Sequence, residues 1–314
     1  MVEPPVVAVF DPLPHFSYRE EREILEGGGV RLVVPATDAE ATAAIADADV
    51  VVVTGRRRFT AVEVAALTRC VGVQTSSVGA DYVDPSLHDR GIPLRTAAGY
   101  CTDEVSDHAI ALLLAAWRRI PMLDRAGRRA GWTGSSALTA PLRRLRGRTV
   151  GVVGLGRIGR AVVAKARGLG LEPIGHDPFL TGAEVAPMPL VALDALVAAA
   201  DAVVLCAPAT SASRHLIDAR RLALARPGVV LVNVARGALV DEAALVAALD
   251  SGQVAVAALD VRATEPPPDD DPLAGRADTI LTPHAAASSV EAVAELHEWT
   301  ARGALDLLRE AGRR

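Results

Sequence analysis

The glycine-rich sequence TVGVVGLGRIGRAVVAKARGLG, residues Thr149–Gly170, begins almost halfway along the 314-residue chain. Its apolar beginning, Thr149–Gly154, predicts a buried strand, and Arg160–Leu169 predicts the helix that follows. Between them the glycines are spaced as GxGxxG. Because this pattern lies between a strand and a helix, it predicts a nucleotide-binding turn rather than an ordinary glycine-rich loop.

The residues of this turn have separate tasks. Gly154 permits the tight turn, Gly156 lets the backbone approach a pyrophosphate, and Gly159 allows the helix to contact the strand closely. The N–H groups that lead into the helix, at Arg157 and Ile158, are donors for phosphate oxygens at the positive end of the helix dipole. The turn therefore predicts a dinucleotide site.

An acidic residue closes the next predicted strand, Glu172–Asp177, about 20 residues further on, where a carboxylate would bind ribose hydroxyls. The charge of Asp177 would also repel a 2′-phosphate, so we expect NAD rather than NADP. S-adenosylmethionine-binding folds share the acid at this strand end, so the turn alone leaves that alternative open.

Strand-like apolar runs alternate with helical stretches along the whole chain, which predicts parallel α/β layers. One series precedes the glycine turn and ends in a long helix, Thr102–Ile120. We expect an irregular segment over Pro121–Arg146 before the second series begins at Thr149. A last helix, Ser288–Leu308, is long enough to return to the first series. The length is that of two domains.

Composition excludes several classes of function. The net charge of −5 gives no basic surface for nucleic acid or for an anionic membrane. No apolar run approaches the roughly 20 residues of a membrane span. The three cysteines show no CxxC or other metal-binding spacing, so we expect no metal site and a reducing, cytoplasmic location.

Three later segments carry the closest match to a known family: Val229–Leu249 (VVLVNVARGALVDEAALVAAL), Ala255–Pro268 (AVAALDVRATEPPP) and Thr279–Ser289 (TILTPHAAASS). Together with the glycine turn and Ser77–Ser86, they resemble the D-isomer-specific 2-hydroxyacid dehydrogenases. Gly99–Ala115 is similar more narrowly to a bacterial branch akin to C-terminal-binding proteins.

The resemblance implies two Rossmann-like or flavodoxin-like parallel-sheet domains, with the cofactor domain inserted in the substrate domain. Residues 1–98 and 287–314 would form the substrate-binding domain, the latter as its returning helix. Residues 99–286 would form the NAD-binding domain, with a dimerisation arm at 121–146. The implied partners are NAD, a small 2-hydroxy or 2-oxo acid, and a second copy of the chain in a homodimer.

The resemblance also implies Arg236, Glu265 and His284 as the catalytic set, and the chemistry of these residue types agrees. Taking a hydride from a hydroxy acid requires removal of the hydroxyl proton, which an imidazole performs because its pKa lies near working pH. A carboxylate on the far nitrogen would hold the tautomer. A guanidinium would bind the substrate carboxylate and polarise the carbonyl. Since each residue follows a predicted strand, we expect all three at one sheet edge.

Further family positions map onto this chain. The backbone of Val78 and Gly79 would receive the substrate carboxylate. Cofactor contacts would come from Arg236 and His284, and from six further positions: Val105, Pro208, Thr210, Val234, Ala235 and Asp260.

The sequence departs from the family pattern at two places. Where relatives carry an Arg in the carboxylate loop, this chain has Thr75, and where C-terminal-binding relatives place an aromatic, it has Ala287. Both changes predict a wider and less cationic pocket, unless Arg56–Arg58 compensate. Two alternatives therefore stay open: an NAD(H)-sensing scaffold without catalysis, and a phosphonate or phosphite dehydrogenase.

Overall fold

The computed structural model describes residues 3–130, 142–181 and 187–313. The chain divides into two compact units, one of Met1–Cys101 with Ser288–Arg314 and the other of Thr102–Ala287. The roles of the two units in binding substrate and cofactor remain predictions at this point.

The strands and helices of the described residues alternate along the chain. The strands are β1 Val6–Val9, β2 Arg31–Val33, β3 Val50–Val53, β4 Gly72–Thr75, β5 Leu94–Thr96, β6 Thr149–Val153, β7 Glu172–His176, β8 Ala202–Leu205, β9 Val229–Asn233, β10 Val254–Leu259 and β11 Thr279–Leu281. The helices are α1 Arg19–Gly27, α2 Asp38–Ala46, α3 Ala61–Ala66, α4 Ser86–Asp89, α5 Thr102–Trp117, α6 Ile120–Ala130, α7 Arg157–Gly168, α8 Leu193–Ala199, α9 Ala219–Leu224, α10 Glu242–Asp250 and α11 Val290–Glu310.

The first unit is built on a parallel sheet with the strand order β2-β1-β3-β4-β5. Its central strands, VVAV in β1 and VVVV in β3, are buried at every position, as expected when helices cover both faces of a parallel sheet. The returning helix α11 packs against α1, β3 and β4 and buries Ala301, Ala304 and Leu307 there. The end of the chain thus completes the core formed by its beginning.

The second unit has a parallel sheet with the order β11-β10-β9-β8-β6-β7. The order reverses at β6, which has β7 on one side and β8 on the other. In open α/β sheets such a reversal opens a crevice at the carboxyl ends of the strands, where ligands bind. The prediction of two parallel-sheet α/β domains is confirmed.

The segment after α5 differs from the prediction. We expected Pro121 to end a helix and begin an irregular stretch, but Ile120–Ala130 is helical. The interruption comes earlier, at Arg119, whose φ of 53° is left-handed and breaks the helix after Trp117. Pro121 then lies in the first turn of α6, where its missing N–H removes no helical hydrogen bond. Residues 131–141 of the expected arm, which include Trp132, lie outside the described residues.

None of the helices in the described part of the chain combines the length and the apolar composition needed to cross a bilayer.

Candidate active site

The three predicted catalytic residues follow three neighbouring strands of the second unit. Arg236 comes after β9, Glu265 after β10 and His284 after β11. Because these strands are parallel and adjacent, their carboxyl ends share one edge of the sheet. The structure brings the three residues together at that edge.

His284 and Glu265 form a direct pair. The imidazole Nδ1 lies 2.6 Å from Oε2 of Glu265, and the two side chains are 47 % and 36 % exposed. Since Nδ1 faces the carboxylate, Nε2 is the ring nitrogen that remains for proton exchange with a ligand. The geometry matches that of an acid/base histidine oriented by a carboxylate.

The pair shifts the titration of both of its members. The hydrogen bond that His284 donates to Glu265 raises the pKa of His284 above 6.5, against the opposing effect of partial burial. Partial burial alone would raise the pKa of Glu265, but the hydrogen bonds it accepts from His284 and from the backbone of Arg262 lower it instead. Both shifts favour an imidazolium beside a carboxylate.

Arg236 supplies the positive charge at the edge. Its guanidinium lowers the pKa of both His284 and Glu265 through its charge, so it acts on both members of the pair. Asn233, a buried amide at the end of β9, fixes the turn by donating to the carbonyl of Arg236 at 2.9 Å and accepting from the N–H of Ala235 at 3.0 Å. The turn therefore presents Arg236 in a defined position.

The loop that carries Glu265 is fixed by an ion-pair cluster around Arg262. The guanidinium of Arg262 binds Glu242 at 2.9 Å and Asp271 at 2.8 Å. Its backbone N–H donates to Oε1 of Glu265 at 2.8 Å. One oxygen of Glu265 is thus held by the loop while the other holds His284.

Asp260, predicted as a cofactor contact, is almost fully buried and has extensive contacts within the chain. Oδ1 accepts from the hydroxyl of Thr282 at 2.6 Å and from the N–H of Ala285 at 2.9 Å, and Oδ2 accepts from the N–H of Ala286 at 3.0 Å. The structure therefore gives this carboxylate a role in holding the segment around His284.

The glycine turn has the shape that a pyrophosphate requires. Gly154 has a φ of +88°, and a Cβ there would lie 2.6 Å from the backbone nitrogen of Ala207. A Cβ at Gly159 would overlap the carbonyl oxygen of Gly154, so helix α7 approaches the strand as closely as a glycine allows. A Cβ at Gly156 would meet nothing within 4 Å, because this glycine faces open space. The residues fit a dinucleotide, with Arg157 and Ile158 opening the helix.

Asp177 lies next to the turn at the end of β7. Oδ2 accepts from the N–H of Leu155 at 2.9 Å, and Oδ1 accepts from the N–H of Phe179 at 3.0 Å. The carboxylate is therefore fixed beside the glycine turn, as a group that receives ribose hydroxyls must be.

The remaining cofactor positions are distributed around the same unit. Pro208 and Thr210 follow β8 in a loop closed by Ser213, whose hydroxyl donates to the carbonyl of Pro208 at 2.8 Å. Val234 and Ala235 lie in the turn after β9, and Val105 is buried in α5. The loops after β8 and β9 lie at the same edge of the sheet as the three predicted catalytic residues.

The predicted carboxylate loop belongs to the first unit and follows β4. The hydroxyl of Ser77 donates to the carbonyl of Gly79 at 2.6 Å, and that of Thr75 donates to the carbonyl of Ser77 at 2.9 Å. Among the described residues, the N–H groups of Val78 and Gly79 have no hydrogen-bond acceptor. The loop is fixed and keeps two donors available.

Several residues that support the site were not predicted. Asn233 is a polar residue at the end of an otherwise apolar strand, and this contrast is a signal that could have identified it. Arg262 and Thr282 carry no comparable signal, because their partners are distant in sequence. His108 also lies beside this segment, with its Nε2 3.0 Å from the hydroxyl of Thr282.

Comparison with curated proteins shows extensive similarity. The D-3-phosphoglycerate dehydrogenase of Mycobacterium tuberculosis is 40 % identical over 253 residues, which cover 80 % of this chain and 47 % of that protein. The chain thus spans about half the length of the phosphoglycerate dehydrogenases that it matches.

Solved structures agree over nearly the whole chain. A glyoxylate reductase from Paecilomyes thermophila has a TM-score of 0.87 at 27 % identity, covering 99 % of this chain and 97 % of that one. An NADPH-dependent glyoxylate/hydroxypyruvate reductase from Sinorhizobium meliloti, in complex with NADP and malonate, has a TM-score of 0.83 at 30 % identity, covering 98 % and 94 %.

A sequence model described as the NAD binding domain of D-isomer specific 2-hydroxyacid dehydrogenases matches residues 110–286, more than half of the chain. This range contains the glycine turn, Asp177 and the three residues at the sheet edge. The chain therefore belongs to the D-isomer specific 2-hydroxyacid dehydrogenase family.

Proposed function

We propose that the protein is an NAD-dependent oxidoreductase that interconverts a D-2-hydroxy acid and its 2-oxo acid. The observation that carries this proposal is the His284–Glu265 pair at 2.6 Å, with the charge of Arg236 acting on both. A family member that only sensed NAD(H) would need the glycine turn but not this assembled acid/base pair.

His284 moves the proton in this proposal. In oxidation, neutral Nε2 takes the hydroxyl proton of the acid, and the resulting imidazolium is stabilised by Glu265. In reduction, the imidazolium returns the proton to the developing alkoxide. The guanidinium of Arg236 binds the acid by its carboxylate and stabilises the charge that develops on the carbonyl oxygen.

The cofactor would be held by the glycine turn and by the carboxylate of Asp177. Gly154, Gly156 and Gly159 shape the turn, and the first N–H groups of α7 would donate to the phosphate oxygens. When bound, the nicotinamide supplies or accepts the hydride. The positions Val105, Pro208, Thr210, Val234, Ala235 and Asp260 are proposed as further contacts.

For the substrate, we propose a small acid with a single anionic group. The Val78 and Gly79 N–H groups would receive its carboxylate, and Thr75 replaces a cation that relatives use there. Of the arginines that could compensate, Arg56 and Arg57 pair with Asp38 at 2.5 and 3.5 Å. Loss of one charged contact would weaken a dianionic acid by about 2–3 kcal/mol. The similar glyoxylate reductase structures support a small substrate.

The test is oxidation of NADH by the purified protein with glyoxylate, pyruvate, hydroxypyruvate and 3-phosphohydroxypyruvate. We expect turnover of the small acids, with the phosphorylated acid clearly poorer, and oxidation of only the D-hydroxy acid in reverse. Tight NADH binding without turnover of any acid would favour the sensing scaffold. Reduction of NAD by phosphite or a phosphonate, without turnover of any 2-oxo acid, would favour that dehydrogenase.

We also propose a homodimer in the cytoplasm. The dimer is expected from the family resemblance of residues 121–146, and a monomer mass by light scattering at micromolar concentration would contradict it. All three cysteines are free thiols, as a reducing compartment requires.

A further inference from the structure

His108 lies on α5, far in sequence from the catalytic segment, but its imidazole reaches that segment. Nε2 is 3.0 Å from the hydroxyl oxygen of Thr282 and 3.5 Å from Oδ1 of Asp260. The Thr282 hydroxyl is in turn 2.6 Å from the same carboxylate oxygen. We call His108, Thr282 and Asp260 the Asp260 cluster.

The direction of each hydrogen bond in the Asp260 cluster follows from counting protons. The Asp260 carboxylate accepts from the N–H groups of Ala285 and Ala286, so it acts as an acceptor toward Thr282 as well. Thr282 has one hydroxyl proton, which it therefore donates to Asp260. His108 must then donate its Nε2 proton to Thr282, which fixes the Nε2–H tautomer when His108 is neutral.

The cluster is connected directly to the backbone of His284. The N–H of His284 donates to the carbonyls of Asp260 at 2.8 Å and Thr282 at 3.0 Å. The φ of His284 is +52°, in the left-handed region. A non-glycine residue keeps such a conformation only where its surroundings hold it. Residues 282, 285 and 286, on both sides of His284, are all bound to one carboxylate.

We infer that His108 and Thr282 are positioning residues, which orient the Asp260 carboxylate so that it holds His284 in reach of Glu265. This inference rests on the proposed acid/base role of His284, and nothing in it requires His108 or Thr282 to touch substrate. The charged groups that act on the imidazole are Glu265, Arg236 and Asp260, so a displaced backbone would change its titration.

The test uses nitrogen-15 NMR of histidine side chains in the full-length protein without cofactor, with activity measured in parallel. Thr282→Val removes both hydrogen bonds of the hydroxyl at nearly constant shape, and Thr282→Ser restores them. His108→Leu removes the donor, and His108→Gln retains an N–H at a similar place. The matched control is Thr279→Val, since Thr279 is a buried threonine of β11 whose hydroxyl donates only to backbone carbonyls.

In the wild type we expect His108 as the Nε2–H tautomer and a His284 pKa above 6.5. Thr282→Val and His108→Leu should lower the His284 pKa toward its ordinary value and reduce kcat at least about tenfold, with the KM for NADH changed less than about twofold. Thr282→Ser and His108→Gln should recover most of the raised His284 pKa and most of the wild-type kcat. The double variant should be no worse than Thr282→Val alone, because the two residues act in one chain of hydrogen bonds. Thr279→Val should lower only Tm.

A His108 Nδ1–H tautomer, or a His284 pKa unchanged in Thr282→Val, would overturn the inference. So would a Thr282→Ser variant as impaired as Thr282→Val. Failure of the proposed function gives a different result: no acid would be turned over by the wild type, while the NMR titration would still report whether the cluster positions His284.

Discussion

His284 is constrained at both its backbone and its imidazole ring. Its N–H is bound to the carbonyls of Asp260 and Thr282, and its Nδ1 is bound to Glu265. These contacts leave Nε2 as the nitrogen that can exchange a proton with a ligand.

Glu265→Gln tests the effect of the carboxylate on the titration of His284. Reduction requires the imidazolium, whose population falls as pH rises through the pKa of His284. Glu265 raises that pKa, so the neutral amide should move the falling limb of the reduction profile to lower pH. The rising limb of oxidation should move in the same direction. The measurement is kcat/KM against pH in both directions, with the exposed Glu295→Gln as a control; limbs at unchanged pH would contradict the role.

Asp177→Asn tests cofactor choice. The amide keeps one acceptor oxygen, so it can still accept a hydrogen bond from the N–H of either Leu155 or Phe179, and it no longer repels a 2′-phosphate. We expect the preference for NADH over NADPH to fall by about tenfold, which corresponds to ~1.4 kcal/mol. Glu172→Gln, at the opposite end of the same strand, is the control and should leave the ratio of kcat/KM values unchanged. If the ratio of kcat/KM for NADH to kcat/KM for NADPH were the same in Asp177→Asn as in the wild type, other residues would decide the cofactor preference.

The connection between β6 and α7 contains two glycines, Gly156 and Gly159, that are needed for different reasons. Gly159 is needed by the fold, because a Cβ there would overlap the carbonyl of Gly154. Gly156 has an ordinary φ of −69° and open space beside it, so a methyl group would not disturb the fold.

The two alanine substitutions should therefore separate stability from binding. Gly159→Ala should lower Tm by several degrees. Gly156→Ala should keep the wild-type Tm but weaken NADH binding by about tenfold or more, because the methyl group would occupy the space the pyrophosphate needs. Differential scanning fluorimetry and NADH fluorescence titration measure the two effects. Unchanged NADH affinity in Gly156→Ala would argue against a dinucleotide at this turn.

Helices α1 and α11 of the first unit are joined by a buried pair, in which Nδ1 of His297 lies 2.5 Å from Oε1 of Glu21. This hydrogen bond raises the pKa of His297 above 6.5, against its partial burial. The stabilisation from the charged pair is complete below the unfolded pKa near 6.5 and is lost as pH rises through the raised folded value.

Glu21→Gln should lower the free energy of unfolding by about 1–2 kcal/mol near pH 5.5, and the loss should shrink above the folded pKa of His297. Urea unfolding at several pH values measures this difference. Glu23→Gln, which removes an exposed pair with Arg19 on the same helix, should leave the free energy of unfolding nearly unchanged. A loss that does not change with pH would refute the charged pair.

For the whole molecule, the sequence predicts the sheets better than the connections between them. Apolar runs such as VVVV in β3 are typical of strands that are buried on both faces of a parallel sheet. The strands and the two-domain α/β fold could therefore be predicted from the sequence. The helical Ile120–Ala130 was missed because Pro121 ends a helix or begins one depending on where the preceding residues leave the helical conformation. The break lies at Arg119, two residues before Pro121, and no residue type in the sequence marks it.

The site likewise contains residues that local motifs predict and residues whose role depends on partners distant in sequence. The glycine turn and the residues that follow β9, β10 and β11 are local motifs, and their placement at one sheet edge follows from parallel strand order. The supports of the site could not be read in this way. Arg262 binds Glu242 across 20 residues and His108 binds Thr282 across 174, and no periodicity in the sequence encodes such pairs.

The most direct test of the central claim is single-turnover hydride transfer in His284→Ala. The variant, saturated with NADH, is mixed with the best 2-oxo acid of the panel, and the loss of NADH absorbance is followed in a stopped-flow instrument. We expect a rate at least about 1,000-fold below that of the wild type, with the Kd for NADH nearly unchanged. A rate within about tenfold of the wild type would contradict it.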